Sequence, residues 1–177
     1  MKKIKLLFMD VDGTLTDGKV YISNSGELFK AFSIKDGYAI NEILKRKEIT
    51  PVIITARTSD IVKIRCGELG INELYQGCSN KKQKMLEICK KYGIGISEGN
   101  VLKGTAYIGD DIPDLECMTV SEYKGCPKDA ISEIKKISDF ISTYNGGDGA
   151  VREFIEWLVC DEQVGIQNNY DKGGWQK

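Results

Sequence analysis

The chain has 177 residues, 41% hydrophobic and 29% charged, with 25 Lys+Arg against 26 Asp+Glu and a net charge of −1. This is the composition of one globular domain with a core of its own, and the charge balance leaves no footprint for nucleic acid or an anionic membrane surface. The chain contains no histidine, which excludes Ser-His-Asp and Cys-His catalysis, His-ligated zinc and an imidazole base, so any acid–base chemistry falls to carboxylates, Lys, Tyr or Cys.

In chain order, residues 4–9 (IKLLFM) form a short continuous apolar run, the pattern of a strand buried on both faces. Segments 20–23 and 28–33 flank Asn24-Ser25-Gly26 and predict a β-hairpin. Residues 36–47 place Ala39, Ile40, Ile43 and Leu44 at helical spacing, with Asp at the start and Lys-Arg-Lys at the end, as the helix dipole favours. Residues 50–55 (TPVIIT) predict a second buried strand, with Pro51 confined to its beginning. A helix over 59–69 stops at Gly70, a short strand covers 73–75, and a helix over 81–92 stops at Gly93. A strand over 105–108 follows. Helices are predicted over 112–118, 129–137 and 150–159, with extended pieces near 122–124 and 140–142. Alternation of strand and helix at this rhythm predicts an α/β fold with a doubly wound, mostly parallel, Rossmann-like sheet, in which ligands bind at the carboxyl ends of the strands. The domain is expected to span 1–160, followed by a polar tail over 161–177.

The six cysteines, at 66, 78, 89, 117, 126 and 160, form no C-x-x-C pair and lie mostly in apolar segments, so they are expected to be reduced and structural. The apolar run after the basic start is too short for a signal sequence, and no run of ~18 apolar residues exists to span a membrane. The expected compartment is the cytoplasm.

The chemistry concentrates at strand ends. Asp10-Val11-Asp12-Gly13-Thr14 follows the first strand; it reads either as a turn, which Asp and Gly favour, or as a pair of working carboxylates. Gly109-Asp110-Asp111-Ile112-Pro113-Asp114 follows the strand over 105–108. One Asp there would serve as a helix cap, and there are three. Two acidic clusters at two strand ends can converge on a hard cation, and oxygen ligands suit Mg²⁺. Thr55 and the amide of Ala56 close the second strand, where they either cap the next helix or hold phosphate oxygens. Lys81 opens a helix, a poor position for a cation unless an anion faces it.

The order D-x-D-G-T, strand-end Thr, lone Lys, G-D-D-x-x-D resembles the haloacid dehalogenase (HAD) superfamily of phosphatases. Thr16-Asp17-Gly18 before the hairpin, Lys35-Asp36-Gly37-Tyr38, Tyr75-Gln76-Gly77, Ser79-Asn80-Lys81 and the run from Gly146 to Glu153 resemble, more narrowly, the cap-less 3-deoxy-D-manno-octulosonate 8-phosphate (KDO-8-phosphate) phosphatases. This resemblance covers about residues 4–160. It implies a HAD-like fold with a hairpin flap at about 16–33 and no cap domain. It implies that Asp10 is the nucleophile and a Mg²⁺ ligand, and that Asp12 is the acid–base group, binding Mg²⁺ through its backbone carbonyl. Thr55, Ala56 and Lys81 then bind phosphate, Asp110 completes the metal set, and Asp111 and Asp114 support it from behind. The substrate implied is a phosphorylated sugar acid, KDO-8-phosphate or a nine-carbon 2-keto acid 9-phosphate. Its carboxylate requires a cation, for which Arg57, Arg65 and Arg152 are the candidates. The resemblance also implies a homotetramer that closes the site a cap would otherwise cover. A HAD-like oligomerisation module without activity and a cap-less phosphoprotein phosphatase are the other readings. The first is opposed by Asp10, Asp12, Thr55, Lys81 and Asp110 all being present; the second would be opposed by a closed tetrameric site.

Overall fold

The computed structural model describes residues 3–97 and 99–160; the expected tail at 161–177 lies outside the described residues. Nine strands are described: β1 (Leu6–Met9), β2 (Tyr21–Ser23), β3 (Gly26–Phe29), β4 (Thr50–Ile54), β5 (Glu73–Tyr75), β6 (Ile96–Ser97), β7 (Val101–Ile108), β8 (Ser121–Cys126) and β9 (Phe140–Ile141). Helix α1 (Ile34–Tyr38) runs directly into a π-helical stretch, Ala39–Leu44. The others are α2 (Asp60–Glu68), α3 (Lys81–Lys91), α4 (Ile112–Val120), α5 (Ser132–Ile137) and α6 (Ala150–Val159).

The main sheet runs β5-β4-β1-β7-β8-β9, with β6 paired antiparallel to β7 and every other pairing parallel. All four residues of β1 are buried, as its unbroken apolar run requires. Its side chains alternate between two cores. Leu7 and Met9 join Ile40, Leu44, Val62, Phe154 and Leu158 on one face. Leu6 and Phe8 join Met85, Ile88, Cys117, Met118 and Ile134 on the other. Helices α1, α2 and α6 therefore cover one side and α3, α4 and α5 the other, the expected doubly wound arrangement. Phe8 stacks on Tyr107 across the sheet, centroids 6.3 Å apart; truncating a buried aromatic of this kind to Ala costs about 3–5 kcal/mol.

The chain crosses from β1 to β4 on one side and reaches β7 on the other, so the order reverses at β1. In such sheets a crevice opens beyond the strand ends at that point. Asp10, Thr55 and Asp110 follow the last residues of β1, β4 and β7 within two positions, so the topology alone gathers them.

The flap is shorter than expected and stands as its own two-stranded sheet, stacked Tyr21 on Phe29 at 4.2 Å. Its outer side chains are bare: Ile22 is 73% exposed and Leu28 59%. Among the described residues no cap domain interrupts the fold, and no helix is long and apolar enough to cross a membrane. The helix expected over 36–47 is α1 followed by the π-helical stretch that ends at Leu44, and other elements depart from expectation as well. β7 begins at Val101 rather than 105, because its pairing with β8 slips register between Leu102 and Ala106 and continues past the irregularity. β6, two residues long, carries too little pattern to be read. Helix α5 covers only Ser132–Ile137, since the stretch from 127 forms a turn in which the Ala130 amide donates to the Pro127 carbonyl.

Candidate active site

Asp10 leaves β1 with its amide donating to the Ile108 carbonyl at 3.2 Å, which ties the first loop to the end of β7. Its side chain is buried and accepts from Lys81 Nζ at 2.7 Å. Lys81 is the first residue of α3, whose N-cap is Asn80. The ammonium donates a second bond, at 2.8 Å, to Asp114 Oδ1. Burial alone would lower the Lys81 pKa; the charges of Asp10 and Asp114 outweigh that and hold it above its usual value. The anion that this helix start was expected to face is thus a pair of carboxylates.

Asp114 is fully committed. Oδ1 accepts from Lys81 and from the Tyr107 hydroxyl at 2.8 Å, and Oδ2 accepts from the amides of Asp110 (3.1 Å) and Asp111 (3.4 Å). Four bonds use the whole acceptor capacity of a carboxylate. Asp111 is the N-cap of α4, so the capping role and the acidic cluster coexist, divided among three residues. Asp110 accepts from the Thr14 hydroxyl at 2.9 Å. It lies so close to the first loop that a Cβ at Gly13 would fall 2.0 Å from Asp110 Oδ2; with φ at +96° that position is restricted to glycine twice over.

Carboxylate oxygens of Asp10, Asp110 and Asp114 all lie within 4.8 Å of one another. Burial pushes the Asp10 pKa up to about 7, helped by the Asp114 charge and opposed by Lys81. Burial, then the Asp10 charge, pushes Asp110 up to about 7 as well. Two carboxylates that resist ionisation side by side form an all-oxygen donor set suited to a hard divalent cation.

The side chain of Asp12 does not join this triad. Its carboxylate is ion-paired with Lys30, which follows β3 of the flap. Lys30 also pairs with Glu27 at 3.2 Å. Glu27 accepts from the Ser59 hydroxyl and from Arg57 at 3.4 Å. Asp10, Asp12, Thr55, Ala56, Arg57 and Lys81 line one cleft of about 290 Å³, with Asp110, Asp111 and Asp114 forming its acidic wall. A larger cleft, about 560 Å³, opens at the opposite ends of β4 and β5. Of the two carboxylates lining it, Glu48 and Glu73, the latter is already engaged by Tyr75, Lys91 and Tyr92, and the acidic triad found among the described residues lies in the smaller cleft.

The chain is 38% identical over 175 residues to the 3-deoxy-D-manno-octulosonate 8-phosphate phosphatase KdsC of Escherichia coli strain K12, an alignment covering 99% of this chain and 87% of that one. The chain belongs to the KDO-8-phosphate phosphatase family of the HAD superfamily. No family model matches it. Its fold is similar to that of the Moraxella catarrhalis KDO-8-phosphate phosphatase crystallised with magnesium, phosphate and KDO: TM-score 0.81, 39% identity, 89% of this chain and 86% of that chain. It is equally similar, at TM-score 0.81 and 30% identity, to the cobalt-bound phosphatase of Haemophilus influenzae, over 89% and 88% of the two chains.

Within this HAD-type phosphatase, two of the three candidate arginines lie away from the cleft. Arg65 projects from α2 toward α1: its guanidinium lies 5.9 Å from the Phe32 ring and 3.0 Å from Glu68, and a Cβ at Gly37 would meet it at 2.5 Å. Arg152 lies over the Tyr38 ring at 5.5 Å and bonds Glu156 at 2.8 Å. Only Arg57 reaches the cleft. Sequence reasoning missed Thr14, Glu27, Lys30 and Tyr107. Tyr107 had a signal, a hydroxyl inside an apolar strand; Lys30 had none, being a lysine in an exposed ribbon.

Proposed function

We propose that this phosphatase hydrolyses KDO-8-phosphate through an aspartyl-phosphate on Asp10, with Mg²⁺ as cofactor. The observation that carries the mechanism is the Asp10–Lys81 contact beside Thr55 and Asp110 at the sheet's reversal point. Substrate and metal come from the likeness to relatives with those ligands in their names. Asp10, Asp110 and the backbone carbonyl of Asp12 would hold the ion, since Asp114 has no acceptor capacity left. When bound, it supplies positive charge against the carboxylates and the phosphoryl oxygens.

Asp10 attacks phosphorus as the ester P–O bond breaks, and Asp12 gives its proton to the leaving sugar oxygen. Water then attacks the phosphorus of the acyl phosphate and Asp12 takes a proton from it. The bond to Asp10 breaks and inorganic phosphate leaves. Bringing a carboxylate to a phosphate costs roughly 4 kcal/mol per charge pair at 4 Å and an effective dielectric constant of about 20; Lys81 offsets part of this repulsion. Thr55 and the Ala56 amide hold the phosphoryl oxygens, and Arg57 is the cation in reach of the substrate carboxylate. Arg65 and Arg152 could serve only from elsewhere, across a subunit boundary.

The exposed apolar side chains of the flap, Val20, Ile22, Leu28 and Phe29, support assembly of a homotetramer through this ribbon. Four of the six cysteines are buried, which fits a cytoplasmic protein. Phosphate release with Mg²⁺ is the test, comparing KDO-8-phosphate with nine-carbon 2-keto acid 9-phosphates. A kcat/KM about 100-fold higher for KDO-8-phosphate, ~2.7 kcal/mol of discrimination, is expected. The reverse preference assigns the nine-carbon substrate, and activity on neither, with Mg²⁺ bound, shifts the reading to another phosphoester or to an assembly module. Asp10→Asn must remove turnover while leaving the fold intact.

A further inference from the structure

The flap inverts the usual arrangement of an exposed ribbon. Its apolar side chains face solvent, and the lysine that follows it is buried, with 2% of the Lys30 side chain accessible. A lysine is taken out of water only where partners replace its hydration. Lys30 has two: Asp12 on the first catalytic loop and Glu27 on its own hairpin. Glu27 continues the chain of contacts to Arg57 and to Ser59, which caps α2 just past Thr55. The ammonium is therefore the centre of a polar strut between the Asp12 loop and the loop after β4. Glu27 shares its charge, so the cation is not drawn wholly onto Asp12.

Lys30 engages one oxygen of Asp12, Oδ1, while Asp12 still lines the cleft. We propose that Lys30 is a positioning residue for the reaction: by holding Oδ1 it fixes the Asp12 rotamer so that Oδ2 is presented to the leaving oxygen. The proposal deepens the mechanism above and rests on Asp12 being the acid–base group. A carboxyl that must hand over a proton works only within hydrogen-bond reach of the oxygen it serves. A free Asp12 would sample several staggered rotamers, most of them unproductive. The flap thus contributes to chemistry through a side chain that never touches substrate.

The test separates an effect on proton delivery from an effect on the fold. Lys30→Met, Lys30→Arg and Asp12→Asn are assayed on KDO-8-phosphate, whose alkoxide leaving group needs a proton, and on p-nitrophenyl phosphate, whose leaving group does not. For Lys30→Met, kcat on the sugar phosphate should fall about 10–100-fold, part of the 10²–10⁴-fold that general acid catalysis contributes. KM should change little, and the aryl ester should lose less than about threefold. Lys30→Arg should restore most of the difference. If the methionine variant does not fold, Lys30→Ala, which likewise removes the donor, is read in the same way. Equal losses on both esters, or no loss on either, overturn the proposal. If Asp12→Asn itself shows no preference between the esters, it is the acid–base assignment of Asp12 that fails, before Lys30 is in question.

Discussion

Lys81 Nζ lies 2.7 Å from Asp10 Oδ1, although the two residues stand 71 positions apart in the chain. The contact joins the start of α3 to the end of β1, and it is the point where fold stability and the proposed chemistry depend on the same atoms. Lys81→Met removes the counter-charge of two buried carboxylates. It should destabilise the protein by about 3 kcal/mol, the cost of leaving a buried ion pair half made. Phosphatase activity should fall by at least 10²-fold, the scale of losing one donor that stabilises transition-state charge. Urea titration and single-turnover phosphate release measure the two separately. A stable variant with undiminished turnover would contradict both.

Tyr107→Phe tests the support beneath that contact. The Tyr107 hydroxyl is buried and donates to the same Asp114 oxygen that receives Lys81. Its removal leaves the ring stacking in place, so the expected cost is that of one hydrogen bond to a charged group, about 1.5–3 kcal/mol. Far-UV circular dichroism should be unchanged and the thermal midpoint lowered. A variant as stable as the parent would mean that Asp114 is held well enough by Lys81 and the two amides alone.

The acidic pair predicts how pH and Mg²⁺ are linked. Asp10 and Asp110 titrate at about 7 in the folded, metal-free protein, against about 3.9 when unfolded. A raised folded-state value favours the fold below the unfolded pKa and loses that contribution as pH rises through the folded one. The metal-free protein should therefore lose stability between about pH 4 and 7, by up to about 1.4 kcal/mol per pH unit for each responding group. If, as proposed, Mg²⁺ is held by this pair in its ionised form, its affinity should weaken below pH 7 and its binding should release protons. Calorimetry at pH 6 in two buffers of different ionisation enthalpy measures that release, which should shrink at pH 8. Equal affinity at pH 5.5 and 8 would show that the carboxylates are ionised throughout.

Gly146 packs against the loop after β1: a Cβ there would fall 1.9 Å from the Gly13 carbonyl oxygen. Backbone cannot yield as a flexible side chain does. Gly146→Ala should cost about 1–3 kcal/mol of overpacking and displace the Asp12–Gly13 segment, lowering kcat more than it raises KM. Urea denaturation and steady-state kinetics check it; unchanged kcat with lowered stability would place the strain wholly in the loop around Gly146.

The sequence carried the scaffold of the site because its determinants are local. The run Leu6–Met9 must be a strand buried on both faces, and a carboxylate right after it must stand at a strand end. The same logic located Thr55 and Asp110. It could not reach side-chain direction beyond a strand end, where period-two alternation stops. Nothing local told that Asp12 turns toward Lys30 or that Asp114 would carry four hydrogen bonds. Arg65 shows the same limit on a helix. Its position two turns into α2 was legible, but its azimuth was not, and the helix face set by buried Val62 and Cys66 turns it toward Phe32. The strut through Glu27 and Lys30 joins residues from separate segments, so it emerges only once the chain is folded.

The hairpin shares no backbone rung with the main sheet. Lys30 and Glu27 tie it to the cleft through side-chain contacts. Swinging the ribbon aside thus exchanges a few polar contacts for water and leaves every strand pairing of the central sheet intact. Hydrogen exchange should register this as a division of timescales. Amides of β1, which leads directly to Asp10, should exchange only when the whole domain unfolds, while those of β2 and β3 exchange through local opening. In the proposed mechanism the nucleophile thus rides on the most slowly exchanging strand, and the residue that aims its proton donor on the ribbon that opens first.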